Sequence, residues 1–218
     1  MKQWNNIYKK EGKNYAYYDI LEPHRDMAMV AGLFKKRGVR SVLDLGCGAG
    51  RQTWYLADNG FTVFGLDIAE AGIKMLEKVL RQKKLKADLR VGNIFNKLPY
   101  GDNYFDAVVS VQVLQHGREA EIKKAIGEIK RVLKPGGLVF ITLCGRCSQG
   151  KVRLFLVKTA KKIAPHTYVP TDGKEVGLTH YIYNKDEIKK HFKDFKILKS
   201  WKDDKDYYCF IGQNRKHD

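Results

Sequence analysis

Three glycines at alternate positions directly follow a short apolar segment that contains one acid. The segment covers residues 42–45 and includes Asp44, and the glycines are Gly46, Gly48 and Gly50. Glycine lets a chain turn tightly with no side chain in the way. A ligand can then lie against bare backbone near the start of the next helix, where unpaired N–H groups point outward. The spacing therefore predicts a strand, a ligand-binding turn and a helix.

A second apolar segment ends in an acid, 17 residues beyond Gly50: residues 62–66 are followed by Asp67. In a right-handed β-α-β unit the second strand lies beside the first, so we expect the carboxylate of Asp67 to face the mouth of the turn. An ionised carboxylate there can accept hydrogen bonds from both vicinal hydroxyls of a ribose. The alternative is an acid that serves only the N-terminus of the next helix, predicted over 70–83.

The elements that must position these residues alternate along the chain. Helices are predicted over 26–37, 51–59, 70–83 and 119–133, and strands over 41–45, 62–66, 88–92, 105–111 and 138–143. The strand over 105–111 is rich in β-branched residues, which is typical of a strand covered on both faces. Together the pattern indicates an open parallel sheet with helices on both faces.

The length of 218 residues suits one domain. No run of about 18 uncharged apolar residues occurs, so we expect no membrane span. The amino-terminal segment lacks the apolar core of a signal peptide, and the expected location is the cytoplasm. In that setting the four cysteines are not expected to form a disulfide framework.

The net charge of +17 is spread along the chain and rises toward its end, where residues 151–218 carry 16 basic and 9 acidic side chains. A solvated, lysine-rich surface explains this charge. An anionic partner such as RNA or a membrane surface stays open as an alternative. A surface that binds RNA would more often show interleaved arginines and exposed aromatic residues.

Four motifs in order resemble the class I S-adenosylmethionine-dependent methyltransferases, over residues 38–145. Residues 44–50 are similar to the first motif of that family, and Asp67 to its ribose-binding acid. The later motifs are Gly92-Asn93-Ile94, residues 105–110 and residues 133–137, and within the last of them residues 134–137 are predicted to form a turn. The resemblance implies a doubly wound, seven-stranded sheet of order 3-2-1-4-5-7-6 with the last strand antiparallel. Two further predicted strands, over 195–198 and 207–211, agree with that order.

The same resemblance implies S-adenosylmethionine as the cofactor, S-adenosylhomocysteine as the product, and no metal. The cofactor-binding residues carried over are Asp44, Gly46, Cys47, Gly48, Gly50, Asp67, Ile68, Asn93, Ile94, Val111 and Gln112. The glycines would admit the methionine part, and Asn93 with Ile94 would frame the adenine. Asp44 would either orient the turn or take the ammonium group through water.

A nicotinamide-dinucleotide site is the rival interpretation of the glycine turn. Its fingerprint is G-x-G-x-x-G, whereas here Gly50 comes one position too early and Arg51 follows. Asp67 does not discriminate, because both cofactors contain a ribose. The later motifs favour the methyltransferase.

Methyl transfer by in-line attack depends mainly on positioning and exclusion of water. If a base is used, His116 is the candidate, because it follows the fourth strand and its ordinary pKa suits neutral pH. A histidine that caps or packs the loop is the alternative. His180, with Tyr181 and Tyr183, is expected either to line the acceptor pocket or to form a folded aromatic hairpin.

A single domain over 1–218 is predicted. Its parts are an arm and helix over 1–37, a cofactor-binding core over 38–145, an insert over the acceptor site at 146–183, and a final helix with two strands over 184–218. The aromatic residues of the arm are expected mainly to dock it on the core, with cover for a cofactor pocket as the alternative. Within the insert, residues 151–164 predict a lid helix. Cys144 and Cys147 have redox-motif spacing, but a zinc site would need a second pair of ligands, so incidental cysteines are the favoured interpretation.

A looser similarity to type 11/25 or tellurite-resistance methyltransferases rests on two stretches, Gln115-His116-Gly117 and Gly177–Tyr181. It favours a small-molecule acceptor. Two alternatives remain: a methyltransferase of RNA or protein, for which the basic charge speaks, and a non-catalytic protein that binds the cofactor and acts as a partner.

Overall fold

The computed structural model describes residues 2–11, 22–145, 159–173 and 175–215. Its helices are α1 (Lys2–Glu11), α2 (Met27–Lys36), α3 (Arg51–Asp58), α4 (Glu70–Lys83), α5 (Glu119–Val132) and α6 (Lys185–His191). Its strands are β1 (Ser41–Leu45), β2 (Thr62–Asp67), β3 (Asp88–Val91), β4 (Phe105–Val111), β5 (Leu133–Leu143), β6 (Lys161–Ala164), β7 (Thr167–Val169), β8 (His180–Tyr181), β9 (Phe195–Lys202) and β10 (Tyr208–Asn214).

Seven strands form the main sheet, in the order β3-β2-β1-β4-β5-β10-β9. Strand β10 runs antiparallel to β5 and to β9, while β1 to β5 are mutually parallel. Since β9 and β10 are the sixth and seventh strands of this sheet, the predicted order 3-2-1-4-5-7-6 is confirmed. Leu45 pairs with Leu66 in the register of β1 and β2, which brings the glycine turn and Asp67 to the same edge.

Alternation along β1 sends neighbouring side chains into two separate cores. Val42 packs with the apolar stripe of α2, which includes Val30 and Phe34. Leu43 packs on the opposite face, with the stripe of α5 that includes Ile122. These side chains are fully buried, and each burial stabilises the fold by about 1.5–3 kcal/mol. Helices therefore cover both faces, as predicted.

The predicted turn over 134–137 becomes a bulge in the middle of a strand pairing. While β4 advances from Phe105 to Ala107, its partner in β5 passes from Leu133 to Leu138. Gly136 takes a positive φ of 79° inside this bulge, a conformation that other residues adopt only with strain. The turn predicted from these residues is present as a bulge, and β5 continues on either side of it.

The insert contains a second, three-stranded sheet of order β6-β7-β8. The predicted lid helix over 151–164 is wrong for Lys161–Ala164, which pairs with β7 as an antiparallel strand. Ala164 precedes Pro165, and a residue before proline is biased away from helical backbone. Residues 151–158 lie outside the described residues. Among the helices described here, none is long and apolar enough to cross a bilayer.

Candidate functional site

A cavity of about 380 Å³ opens at the carboxyl ends of β1, β2 and β4. Ten of the eleven predicted cofactor-binding residues line it, together with His116: Gly46, Cys47, Gly48, Gly50, Asp67, Ile68, Asn93, Ile94, Val111 and Gln112. The carboxyl edge of a parallel sheet, where neighbouring connections diverge, is the usual place for a ligand in such folds.

The glycine turn needs its glycines for both backbone and space. Gly46, Gly48 and Gly50 have φ values of 82°, 53° and 89°. A Cβ on Gly46 would collide with the side chain of Val113, and one on Gly50 with Leu76. The backbone of the turn is therefore bare where it faces the cavity, which is the surface that the methionine part of the predicted cofactor requires.

Asp67 lies beside this turn, as predicted. Its Oδ2 accepts the backbone N–H of Gly48 at 2.8 Å, and its Oδ1 accepts that of Ala69 at 2.7 Å. Burial raises the pKa of the carboxyl, and these backbone donors oppose the rise. Asp67 thus holds the turn and the start of α4 together while one side of it lines the cavity.

Asp44 is the predicted residue that the structure keeps away from the cavity wall. Its Oδ2 accepts the hydroxyl proton of Thr53 on α3 at 2.6 Å, and its side chain is 1% exposed. Burial raises its pKa to about 7, although the bond from Thr53 opposes the rise. Asp44 therefore fastens α3 to β1 behind the glycine turn, and the two predicted roles, orienting the turn or taking an ammonium group through water, stay predictions.

The segments after β3 and β4 complete the far wall. The Oδ1 of Asn93 accepts the N–H of Phe95 at 3.0 Å, so the turn presents Ile94 and Phe95 to the cavity. Gln112 has a left-handed backbone with φ of 63°, and its N–H donates to the hydroxyl of Thr142 at 2.8 Å. Its Oε1 accepts a hydrogen bond of 3.0 Å from the Arg51 guanidinium. This bond holds the positive charge of Arg51 beside the glycine turn.

His116 lies at the acceptor side, in a short 3₁₀ turn over Leu114–His116. Its Nδ1 is 3.2 Å from the carbonyl oxygen of Thr179, and its ring meets that of His180 edge to face at 4.8 Å. Burial, and secondarily His180, lowers the pKa of His116 to about 3. Packing against α1 and the insert partly buries this ring, which explains the lowered pKa, and the role of His116 in catalysis stays a prediction.

Helix α1 forms a roof that the sequence interpretation treated mainly as a docked arm. Gln3, Trp4 and Tyr8 line the cavity. The indole of Trp4 meets His116 edge to face at 4.8 Å, and the Gln3 amide donates to the Val176 carbonyl. The Tyr8 hydroxyl lies directly over Gly48 and is hydrogen-bonded to the backbone of Ala49. In the sequence, the helical i, i+4 spacing of Trp4 and Tyr8 was the signal that could have predicted that both side chains lie on one face of a helix.

The aromatic residues of β8 and the loop after it pack away from the cavity. Tyr181 and Tyr183 are fully buried beside α6, with ring centroids 4.8 Å apart. Of the two predicted alternatives, a packed aromatic hairpin is the one observed, while Leu178 and Thr179 line the cavity instead. Cys144 is buried at the end of β5. Cys147 lies outside the described residues, so the interpretation of the two as incidental cysteines stays a prediction.

Comparison with known proteins identifies the central part of the chain. The family described as "Methyltransferase domain" matches residues 43–141. An uncharacterized methyltransferase of Synechocystis is 37% identical over 101 residues, which are 45% of this chain and 44% of that protein. The tRNA (carboxymethyluridine(34)-5-O)-methyltransferase of Arabidopsis thaliana is 37% identical over 142 residues, 60% of this chain and 33% of that protein. The chain therefore spans less than half of the length of either relative.

The fold also matches a solved structure. The 1,6-didemethyltoxoflavin-N1-methyltransferase of Burkholderia thailandensis, with its bound toxoflavin precursor and S-adenosylhomocysteine, aligns with a TM-score of 0.72 at 16% identity. The alignment covers 96% of this chain and 84% of that one. Such a likeness establishes the fold, and the bare glycine turn, the acid at the end of β2 and the apolar wall after β3 fit the cofactor of that fold. Residues 43–141 thus match the methyltransferase domain family, and the sheet around them has the strand order implied by the resemblance to the class I S-adenosylmethionine-dependent methyltransferases.

Proposed function

We propose that this protein transfers the methyl group of S-adenosylmethionine to a small-molecule acceptor by in-line displacement. The roof over the cavity carries the proposal. Helix α1 closes the site from above, through Trp4 on His116 and Gln3 on the Val176 carbonyl. The enclosed volume of about 380 Å³ lies within the range of roughly 300–1,000 Å³ that is usual for small-ligand sites.

When bound, S-adenosylmethionine supplies an electrophilic methyl group on its sulfonium. The bare backbone at Gly46 and Gly48 would receive the methionine part, and the guanidinium of Arg51 beside the turn would neutralise its carboxylate. Asp67 would face the ribose hydroxyls. Asn93 and Ile94 would frame the adenine. These residues bind and orient the cofactor within residues 38–145, which we regard as the cofactor-binding core.

His116 would act on the acceptor as a neutral hydrogen-bond acceptor. Its Nδ1–H donates to the Thr179 carbonyl in the tautomer that this contact requires, which leaves the lone pair of Nε2 for a proton on the acceptor. Because the pKa of His116 lies at about 3, its ring would be neutral near pH 7. The ring would therefore orient a hydroxyl or amine of the acceptor through a hydrogen bond and would not retain the acceptor's proton. Attack by a correctly aligned nucleophile then needs little covalent help.

An RNA acceptor is the second candidate, and the similarity to a tRNA methyltransferase together with the net charge of +17 favours it. A nucleobase would have to be flipped out of its stack to enter the roofed cavity. Contacts to phosphates would also make binding strongly dependent on salt, which a small acceptor would not. The two candidates therefore differ in a property that is easily measured.

Radiolabelled S-adenosylmethionine decides between them. The purified protein is incubated with the labelled cofactor and either a small-metabolite fraction or total tRNA, at low and at high salt. We expect label in the metabolite fraction with little effect of salt. Label confined to tRNA would overturn the small-molecule proposal. Calorimetric binding of the cofactor without transfer to either pool would instead support the non-catalytic partner protein.

A further inference from the structure

A cluster of three potential metal ligands lies outside the cavity, where the first turn of α5 meets α6. Glu119 comes from α5, and Glu187 and His191 lie four residues apart on one face of α6. The Nε2 of His191 is 3.6 Å from Glu119 Oε1 and 3.6 Å from Glu187 Oε2. One atom from each side chain therefore converges on a single point between the two helices.

His191 is the member of the cluster that requires an explanation. Its side chain is fully buried, and its Nε2 has no hydrogen-bond partner in the described part of the chain. Both carboxylates are too distant for a direct hydrogen bond, whose length is about 2.7–3.2 Å. A buried polar atom without a partner costs about 1–3 kcal/mol. The nitrogen thus lies between two carboxylate oxygens, each of them beyond hydrogen-bond distance.

We propose that Glu119, Glu187 and His191 bind one zinc ion that ties α5 to α6. Zinc ligands stand 2.0–2.2 Å from the metal, so tetrahedral ligand atoms lie roughly 3.4 Å from one another, close to the separations found here. A mixed set of imidazole and carboxylate suits zinc, whereas magnesium and calcium prefer oxygen alone. Three protein ligands leave the fourth position to water. The ion is separate from the methyl-transfer cavity and takes no part in that reaction.

The surroundings hold two of the ligands in place. The Tyr183 hydroxyl lies 3.3 Å from Nδ1 of His191, so in the metal-bound form Nδ1–H would donate to this hydroxyl and the Nε2 lone pair would face the metal. The hydroxyl of Tyr181 donates to Oε2 of Glu187. Metal ligands are usually oriented by such outer hydrogen bonds. Here the outer hydrogen bonds come from Tyr181 and Tyr183, two buried residues that closely follow His180 in the sequence.

When no metal ion is bound, two lysines balance the negative charge of the carboxylates. Lys123 and Lys190 lie 2.7 Å and 3.2 Å from Glu119 Oε1. Both side chains are about half exposed, at 53% and 55%, so they can withdraw into water at small cost when a cation enters. Among the described residues, neither lysine donates a hydrogen bond to Nε2 of His191. The lysines should therefore compete with zinc, and removing them should strengthen its binding.

Calorimetric titration of the metal-free, full-length protein with zinc chloride tests the site. The wild type should bind one zinc ion at this site and unfold at a higher temperature when loaded. His191→Gln and Glu187→Gln should each weaken the affinity at least tenfold. Tyr183→Phe, which removes only the orienting hydroxyl, should weaken it by about tenfold. Lys190→Met should tighten it several-fold.

Controls separate this site from others. Glu121→Gln changes a carboxylate on the same turn of α5, and His24→Gln alters the distinct cluster of His24, Asp26 and Cys209; both should retain the affinity of the wild type. Zinc binding that is unchanged in His191→Gln and Glu187→Gln would overturn the proposal, as would no binding by the wild type. The tightening in Lys190→Met does not depend on the stability of the ligand variants, and its absence would also count against the site.

Discussion

The carboxylate of Asp67 accepts the backbone N–H of Gly48 at 2.8 Å. This contact joins the end of β2 to the glycine turn that leaves β1, across 19 residues of sequence. A charged acceptor bonded to a backbone donor is stronger than a neutral pair, at about 1.5–3 kcal/mol. One side chain therefore shapes the turn and also lines the cavity, so we expect its removal to have two separable consequences.

Asp67→Asn should weaken the binding of S-adenosylmethionine at least tenfold and lower the stability of the free protein. The amide keeps one oxygen, but its NH₂ group then faces one of the two backbone donors of Gly48 and Ala69. Calorimetry measures the affinity, and urea unfolding measures the loss of about 1–3 kcal/mol. Asp58→Asn, at the exposed end of α3, is the matched control. Equal affinity in wild type and Asp67→Asn would remove Asp67 from the site.

Gly46→Ala should destabilise the protein by roughly 2–4 kcal/mol and abolish cofactor binding. The positive φ strains any other residue, and the new Cβ would collide with Val113. Gly32→Ala is the control, because no atom lies within 4 Å of its new Cβ and the position is an exposed one in α2. That variant should gain about 0.5–1 kcal/mol. If chemical unfolding gave both variants the same stability, steric crowding at the turn would be refuted.

Local patterns predicted the strands, the glycine turn and Asp67, whereas the sheet order and the full set of cavity residues were implied by the family resemblance, whose motifs are themselves local. Strand periodicity, a glycine turn and an acid at a strand end are read within a few residues. Asp44 shows where this fails: its neighbours in sequence do not reveal that Thr53 on α3 satisfies its carboxylate. Local patterns identify which residues meet at an edge, but not which of them face inward.

Tertiary contacts decided the rest. The pKa of His116 at about 3 results from burial against segments more than 60 residues away in either direction, including Trp4 and His180. A sequence window contains neither of them. Likewise, β6 forms because β7 offers it a partner, although the apolar and basic residues before it resemble a helix. Local propensity is a weak guide where an edge is available for pairing.

His116 should make the protein less stable in mild acid. Its pKa is about 3 when folded and about 6.5 when unfolded, so the unfolded chain binds the extra proton between these values and stability falls as the pH drops through 6.5 toward 3. Between pH 7.5 and pH 5.5 the loss from this residue is about 1 kcal/mol. Urea unfolding at both pH values measures it.

His116→Gln should remove that part of the pH dependence, and the comparison of its own two pH values cancels any change in packing. The same variant should lower kcat. In the wild type, the plot of the methyl-transfer rate against pH should show no change with an apparent pKa near 6.5. A wild-type rate that rises with a pKa near 6.5, and that loses this rise in His116→Gln, would instead identify an ordinary titrating base.

Trp4→Ala should speed the release of S-adenosylmethionine at least tenfold. Trp4 and Tyr8 line the cavity from α1, and Tyr8 lies over Gly48, so we expect this helix to slow the departure of the cofactor. Removing the indole deletes the contact with His116 and most of the apolar area that closes the roof. Stopped-flow displacement of the bound cofactor by excess S-adenosylhomocysteine measures the release rate. Asn6→Ala, on the exposed side of the same helix, should leave the rate unchanged.

Because Trp4→Ala changes the residues that cover the cavity and leaves the glycine turn intact, the association rate should change less than the dissociation rate. If Trp4→Ala and Asn6→Ala released the cofactor at the same rate, α1 would be a docked arm rather than a closing element.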